Sequence, residues 1–275
     1  MLNANEVRKD FPVLQNRDVI YLDNAATTLT PISVIQALTN YYEELGVSVH
    51  RGIYELASET TDKFEYSRTR VAEFIGAESR REVVFTKNCT EAINILAYSL
   101  HLWSEKKGKI LVTEMDHHSN ILPWRFMVRG TKKFKLEYVR VTEDGKLDLD
   151  DYRRKLTRDT VAVAFPGISN VLGTVNPVKE MTELAHEKGA LVIVDGAQWL
   201  PHRLFEVTEF DVDFLTFSAH KMLGPTGLGV LYGKEDLLNQ MPPPFGGGEM
   251  VLNVTEREVK WNEPPQKFEP GTPPI

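Results

Sequence analysis

The chain has 275 residues, 32 of them basic and 39 acidic, for a net charge of −7. An apolar content of 42% and a charged content of 26% are those of an ordinary soluble globular protein. No basic patch stands out, which argues against nucleic acid as a partner, and runs such as Leu191 to Val194 are far too short to span a membrane. Cys89 is the single cysteine, so no internal disulfide framework is possible and a reducing compartment fits. The N-terminus lacks the basic-then-apolar pattern of a signal peptide. These features together predict a cytoplasmic location.

In chain order, Val83 to Phe85 reads as a strand. Thr90 to Leu102 follows as a helix, with Ile93, Leu96, Ala97 and Leu100 on one face. Lys109 to Val112 is the next strand, Leu122 to Arg129 a helix, Leu136 to Val141 a strand, Leu149 to Leu156 a helix and Val161 to Phe165 a strand. Pro177 to Lys188 reads as a helix capped by Gly189, before three strands at Leu191–Val194, Phe214–Phe217 and Gly229–Tyr232. Strands alternating with helices predict an α/β domain over residues 18–240. It would hold a mostly parallel, doubly wound sheet of about seven strands with helices on both faces. Residues 1–17 read as an N-terminal arm. Residues 241–275 carry eight prolines and the run Gly246-Gly247-Gly248, and read as an extended arm that needs something to lie on.

Ligands of open α/β sheets bind at the carboxyl ends of the strands, and the reactive residue types of this chain fall there. Ser218-Ala219-His220-Lys221 closes one strand. A lysine fixed there beside hydroxyl and imidazole groups suits Schiff-base chemistry, although Ser-x-His-Lys alone also describes a surface turn. Asp195 closes the apolar strand Leu191–Val194. Its carboxylate can pair with a pyridinium nitrogen or simply cap a turn. Order and spacing favour pyridoxal 5'-phosphate (PLP). Thr86 to Glu91 leads into a helix whose N-terminus suits a phosphate, or is just capped. His117 and His118 follow another strand. Adjacent histidines with no ligand at clear spacing argue against a metal. An imidazole stacked on a flat cofactor is the more economical reading, assigned to His118, with a plain loop histidine as the alternative. Asn170 follows the Val161–Phe165 strand and either donates to a phenolate oxygen or shapes a turn.

These residues, with Tyr21-Leu22-Asp23-Asn24-Ala25-Ala26-Thr27-Thr28, His50-Arg51-Gly52, Ser169 to Thr174, Gly246 to Met250 and Phe268 to Pro273, resemble the motifs of fold-type I PLP enzymes of the class V aminotransferase group. The His-His and Gly-Gly-Gly-Glu-Met pieces are most similar to group II cysteine desulfurases, which include selenocysteine lyases. The resemblance implies that Lys221 forms the Schiff base and moves protons, with His118 as its catalytic companion stacked on the ring. It implies that Asp195 pairs with the ring nitrogen and that Gln198 bonds the phenolate oxygen, with Asn170 near it or near the substrate. Thr90, Ser218 and His220 would hold the phosphate, with Cys89 beside them where the family often has threonine. Thr272 would reach the phosphate of a partner subunit in a homodimer. Ala26, His50 and Arg51, within the matched motifs, are expected near the substrate. The substrate implied is L-cysteine, with alanine and a persulfide as products, and a sulfur-acceptor or scaffold protein as further partner, in iron–sulfur cluster or sulfur-cofactor assembly. The family's C-terminal small domain, with its nucleophilic cysteine and carboxylate-binding arginine, has no counterpart in these residues. Other class V reactions, transamination or selenocysteine lysis, and a non-catalytic PLP-binding scaffold stay open as alternatives.

Overall fold

Runs of Val, Ile, Leu and Phe without polar alternation must be covered on both faces. In the structure, a computed structural model describing residues 3–129 and 131–275, they form one seven-stranded sheet. Met1 and Leu2 of the expected N-terminal arm lie outside the described residues. The strands are β1 (Val83–Thr86), β2 (Gly108–Thr113), β3 (Phe134–Val139), β4 (Thr160–Pro166), β5 (Leu191–Asp195), β6 (Phe214–Ser218) and β7 (Gly229–Gly233). Their spatial order is β1-β7-β6-β5-β4-β2-β3. β7 runs antiparallel to β1 and β6, and the remaining pairs are parallel. The helices are α1 (Ala4–Val7), α2 (Pro12–Asn16), α3 (Ile32–Asn40), α4 (Glu55–Phe74), α5 (Cys89–Trp103), α6 (Leu122–Val128), α7 (Leu149–Lys155), α8 (Val178–Glu187), α9 (Val207–Phe210) and α10 (Glu235–Gln240).

Successive residues of each central strand feed opposite cores. Val163 and Phe165 of β4 join Val192 and Val194 of β5 in one cluster, with Phe64 of α4, Tyr152 of α7 and Met181 of α8. Ala162 and Ala164 join Ile193 in the other, with Ile93 and Leu96 of α5 and Trp124 of α6. Helices therefore cover both faces, the doubly wound arrangement. Each fully buried Ile or Leu contributes about 1.5–3 kcal/mol, so the α5 stripe of Ile93, Leu96 and Leu100 is a main source of stability. Asn88 caps α5 by accepting from the Glu91 N–H at 2.8 Å, a contact worth about 1 kcal/mol.

Three expectations shift. β3 begins at Phe134 rather than Leu136, because its pairing with β2 runs from Gly108 opposite Phe134 to Thr113 opposite Val139. α3 and α4 lie where no element was read. The buried stripe of α4 is Ala57, Thr60, Phe64, Arg68 and Ala72, a helical spacing that includes a hydroxyl and a guanidinium. The tail is more than an extended arm. It forms a hairpin of β8 (Val251–Val254) and β9 (Val259–Trp261), and then a buried anchor at Lys267, Phe268 and Glu269. Glu269 accepts from Arg68 Nη1 at 2.6 Å, from Arg68 Nη2 at 3.0 Å and from the Phe85 N–H of the edge strand β1 at 2.6 Å.

Candidate active site

The carboxyl ends of β1, β4, β5 and β6 open onto a cavity of about 550 Å³, within the usual range for a small-molecule site. Its wall includes nine residues expected there from the sequence: Ala26, Cys89, Thr90, Asn170, Asp195, Gln198, Ser218, His220 and Lys221. Asp23, Ala25, Asn88, His117, Ser119, Pro166, Ile168 and Ala197 complete it.

The floor is a buried polar cluster. Asp195 Oδ1 accepts from the Ala197 N–H at 2.9 Å and from the Cys89 thiol at 3.4 Å. Cys89 Sγ also lies 3.2 Å from Thr216 Oγ1, and the Cys89 N–H donates to Ser218 Oγ at 2.8 Å. Burial pushes the Cys89 thiol well up, and the Asp195 carboxylate adds to it, so Cys89 is a neutral hydrogen-bond donor rather than a nucleophile. The first turn of α5 approaches the start of β7 so closely that a Cβ at Gly229 would lie 2.4 Å from Asn88 Cα. Only glycine permits this packing of β7 under the turn.

Lys221 ends a single 3₁₀ turn, Ala219–Lys221, after β6. The loop before α3 clasps that turn. The Thr28 N–H donates to the His220 carbonyl at 2.9 Å, and the Thr27 and Thr28 hydroxyls donate to it at 3.1 and 3.0 Å. Thr28 Oγ1 also accepts at 2.7 Å from the N–H of Leu223, itself a left-handed residue (φ 71°). Gln198 Nε2 donates to the Ala25 carbonyl at 2.7 Å, tying the same loop to the residues after β5. Burial, then the nearby Lys221 ammonium, lowers the basicity of both His117 and His220. The two rings are therefore neutral near pH 7.

The histidine expected on the cavity wall was His118; the structure places His117 there instead, and His118 outside. β2 ends at Thr113, and the 3₁₀ turn starts only at His118. His117 is the N-cap of that turn, in extended backbone geometry (φ −63°, ψ 148°), and its ring lies 6.0 Å from that of His118. Three other expected residues also lie outside the cavity. His50 Nε2 pairs with Glu65 at 3.0 Å, and Arg51 Nε with Glu249 at 2.5 Å. Burial alone would raise the Glu65 carboxyl, but the His50 hydrogen bond and the Arg68 guanidinium outweigh it and hold the pKa at about 2. Thr272 lines a small cleft beside Thr86, Lys87 and Phe245.

The donor set fits PLP in kind: one amine, one buried carboxylate, and hydroxyl groups at the N-terminus of a long helix. Among the described residues there is no cluster of His, Cys, Asp or Glu able to hold a metal, and no helix is long and apolar enough to cross a membrane.

Residues 20–275 match the family described as Aminotransferase class-V. A probable cysteine desulfurase of Halobacterium salinarum is 44% identical over 280 residues, which is 100% of this chain and 67% of that protein. Another from Synechocystis sp. is 46% identical over 277 residues, 99% of this chain and 66% of that one. The apo structure of a cysteine desulfurase from Thermococcus onnurineus superposes with a TM-score of 0.93 at 40% identity, covering 100% of this chain and 68% of the other. A cysteine desulfurase of Escherichia coli gives 0.91 at 34% identity, with 100% and 68% covered. This chain thus spans about two thirds of the length of these relatives. Fold, cavity and similarity agree: the chain belongs to the aminotransferase class-V family of fold-type I, PLP-dependent enzymes.

Proposed function

We propose that this chain is the cofactor-binding part of a cysteine desulfurase acting on L-cysteine. The observation that carries the reading is the convergence of Lys221, Asp195 and the first turn of α5 on one cavity, in a fold shared with cysteine desulfurases. When bound, PLP supplies a covalent attachment point and an electron sink for the substrate. Lys221 would hold the cofactor and take the α-proton of the substrate. Asp195, buried and fixed by the Ala197 N–H, would keep a proton on the ring nitrogen. Thr90, Ser218 and His220 would bind the phosphate. His117, rather than His118, would lie against the ring, and Asn170 would meet the phenolate oxygen or the substrate. The net reaction is L-cysteine plus a thiol giving L-alanine plus a persulfide. The C–S bond of cysteine breaks and an S–S bond forms on the acceptor. Cys89 is the single cysteine of these 275 residues and is held neutral by burial, so the acceptor thiol comes from outside them. The persulfide would feed iron–sulfur cluster or sulfur-cofactor assembly, with the chain working as a homodimer.

The test is alanine release from L-cysteine by the PLP-loaded chain with dithiothreitol as acceptor. Alanine and sulfide formed in step, and lost in Lys221→Ala, are the expected result. Accumulation of pyridoxamine phosphate without alanine would replace this reading with transamination.

A further inference from the structure

The turn that carries His117 is built more firmly than a loop needs to be. Below it, Asp116 is buried and three donors converge on its carboxyl group. The Thr113 N–H donates at 2.7 Å, Thr113 Oγ1 at 2.8 Å and Asn120 Nδ2 at 2.8 Å. Asn120 is fully buried, and its Oδ1 accepts from Trp124 Nε1 at 3.1 Å, so the ladder reaches the wholly buried indole of α6. The Asn120 N–H returns to the His117 carbonyl at 2.8 Å. The backbone on both sides of His117 is thereby fixed to β2 and α6.

Above it, Ser119 addresses the imidazole. Its backbone N–H donates to His117 Nδ1 at 3.2 Å, and its hydroxyl lies 2.8 Å from the same nitrogen. A backbone N–H can only donate, so Nδ1 must present its lone pair. The ring proton of the neutral imidazole is then on Nε2. Protonating Nδ1 would set two N–H groups against each other and break the cap of the 3₁₀ turn. The charged or titratable groups acting on the ring are Lys221, Asp195 and His118. Among these, the Lys221 ammonium also opposes a cationic ring.

We infer that Ser119 is a positioning residue that holds His117 as the neutral Nε2–H tautomer, on a mount formed by Asp116, Asn120 and Trp124. Its meaning for catalysis rests on the proposed cofactor reading. A neutral imidazole lies beside a protonated pyridine ring without like-charge repulsion, and its one transferable proton is on Nε2. His117 would then enter the reaction as a neutral hydrogen-bond donor through Nε2–H, while Lys221 would be the base.

The experiment is long-range ¹⁵N–¹H correlation on the full chain labelled at its seven histidines, without PLP, with His117→Gln assigning the ring. At pH 7.5 the His117 signals should show the Nε2–H pattern. Ser119→Ala removes the hydroxyl donor and keeps the backbone one, so the tautomer should persist while the His117 pKa rises by about half to one pH unit. Ser119→Thr should restore the parent titration, which a merely structural role would not predict. An Nδ1–H tautomer, an imidazolium persisting at pH 7.5, or a Ser119→Ala titration superimposable on the parent would each overturn the inference. Adding PLP afterwards and reading its absorbance tests the cofactor reading separately, since the tautomer is measured before any cofactor is present.

Discussion

The loops at the carboxyl ends of the strands and the tail after α10 are both irregular backbone, but they are held in different ways. The loops around Asp195 and Lys221 follow directly from the buried strands β5 and β6, so their geometry is inherited from the sheet. The tail carries one exposed hairpin and is anchored through buried Phe268 and Lys267 and through the buried ion pair of Arg68 with Glu269. In the first region the order comes from the strands that the loops extend, reinforced by several separate contacts from residues 25–28 and Cys89. In the second it comes from a partner 201 residues away. Loops of the first kind can carry chemistry because they are rigid by construction, while the second kind fails as a unit when its anchor is removed.

The largest effect should come from the loop side. Lys221→Ala should lower turnover by at least about 10³-fold, measured as alanine release, while the thermal unfolding midpoint stays near that of the parent. A large stability loss in that variant would mean that Lys221 is structural and would break the comparison. Next, on the tail side, Glu269→Gln should cost about 2–3 kcal/mol in urea unfolding, because it removes the closer of the two carboxylates that pair the buried Arg68 guanidinium and leaves only Glu65. A loss under about 1 kcal/mol would show that the hairpin and Phe268 hold the tail without the ion pair.

The same contrast explains what could be read from the sequence. α5 and β5 were legible because their apolar residues fall at a fixed period, and Asp195 and Lys221 because each follows such a run. α4 was not, because its buried stripe includes Thr60 and Arg68, whose burial is compensated by the Leu56 carbonyl and by Glu65 and Glu269. No local pattern announces a guanidinium that is buried because a carboxylate 201 residues later meets it. The choice between His117 and His118 failed for a related reason. The residues fall at the start of a 3₁₀ turn, His117 as its N-cap and His118 as its first residue, where neither period applies, and the turn around His117 is set by the Asp116–Asn120 ladder and by Ser119. His50 and Arg51 were read as substrate residues from their motif alone. The structure engages them with Glu65 and Glu249, contacts that no spacing rule contains.

A smaller effect sharpens the tail side through pH. Glu65 titrates at about 2 against its ordinary value of 4.5. A carboxyl whose folded pKa is depressed contributes stability that is complete above the unfolded value and lost as pH falls toward the folded one. The full shift would correspond to about 3 kcal/mol, which solvent screening reduces to about 1–2 kcal/mol. Glu65→Gln should therefore flatten the stability profile between pH 4.5 and about 2, followed by urea midpoints at stepped pH. An unchanged slope would assign acid sensitivity to another carboxylate. The smallest effect belongs to the hairpin face. Leu252 is 59% exposed, and Leu252→Ser should change the stability of the isolated chain by under about 0.5 kcal/mol. A larger loss would show that the hairpin packs onto the body of the molecule.

The central claim is that the cavity at the strand ends is a PLP site with Lys221 as its covalent anchor. The most direct test is to add PLP, reduce with borohydride, digest, and map the pyridoxyl group by mass spectrometry. The account predicts a single stoichiometric label on Lys221, blocked by inorganic phosphate in excess and weakened in Asp195→Ala. A label spread over surface lysines, or none on Lys221 when the protein is folded, would contradict it.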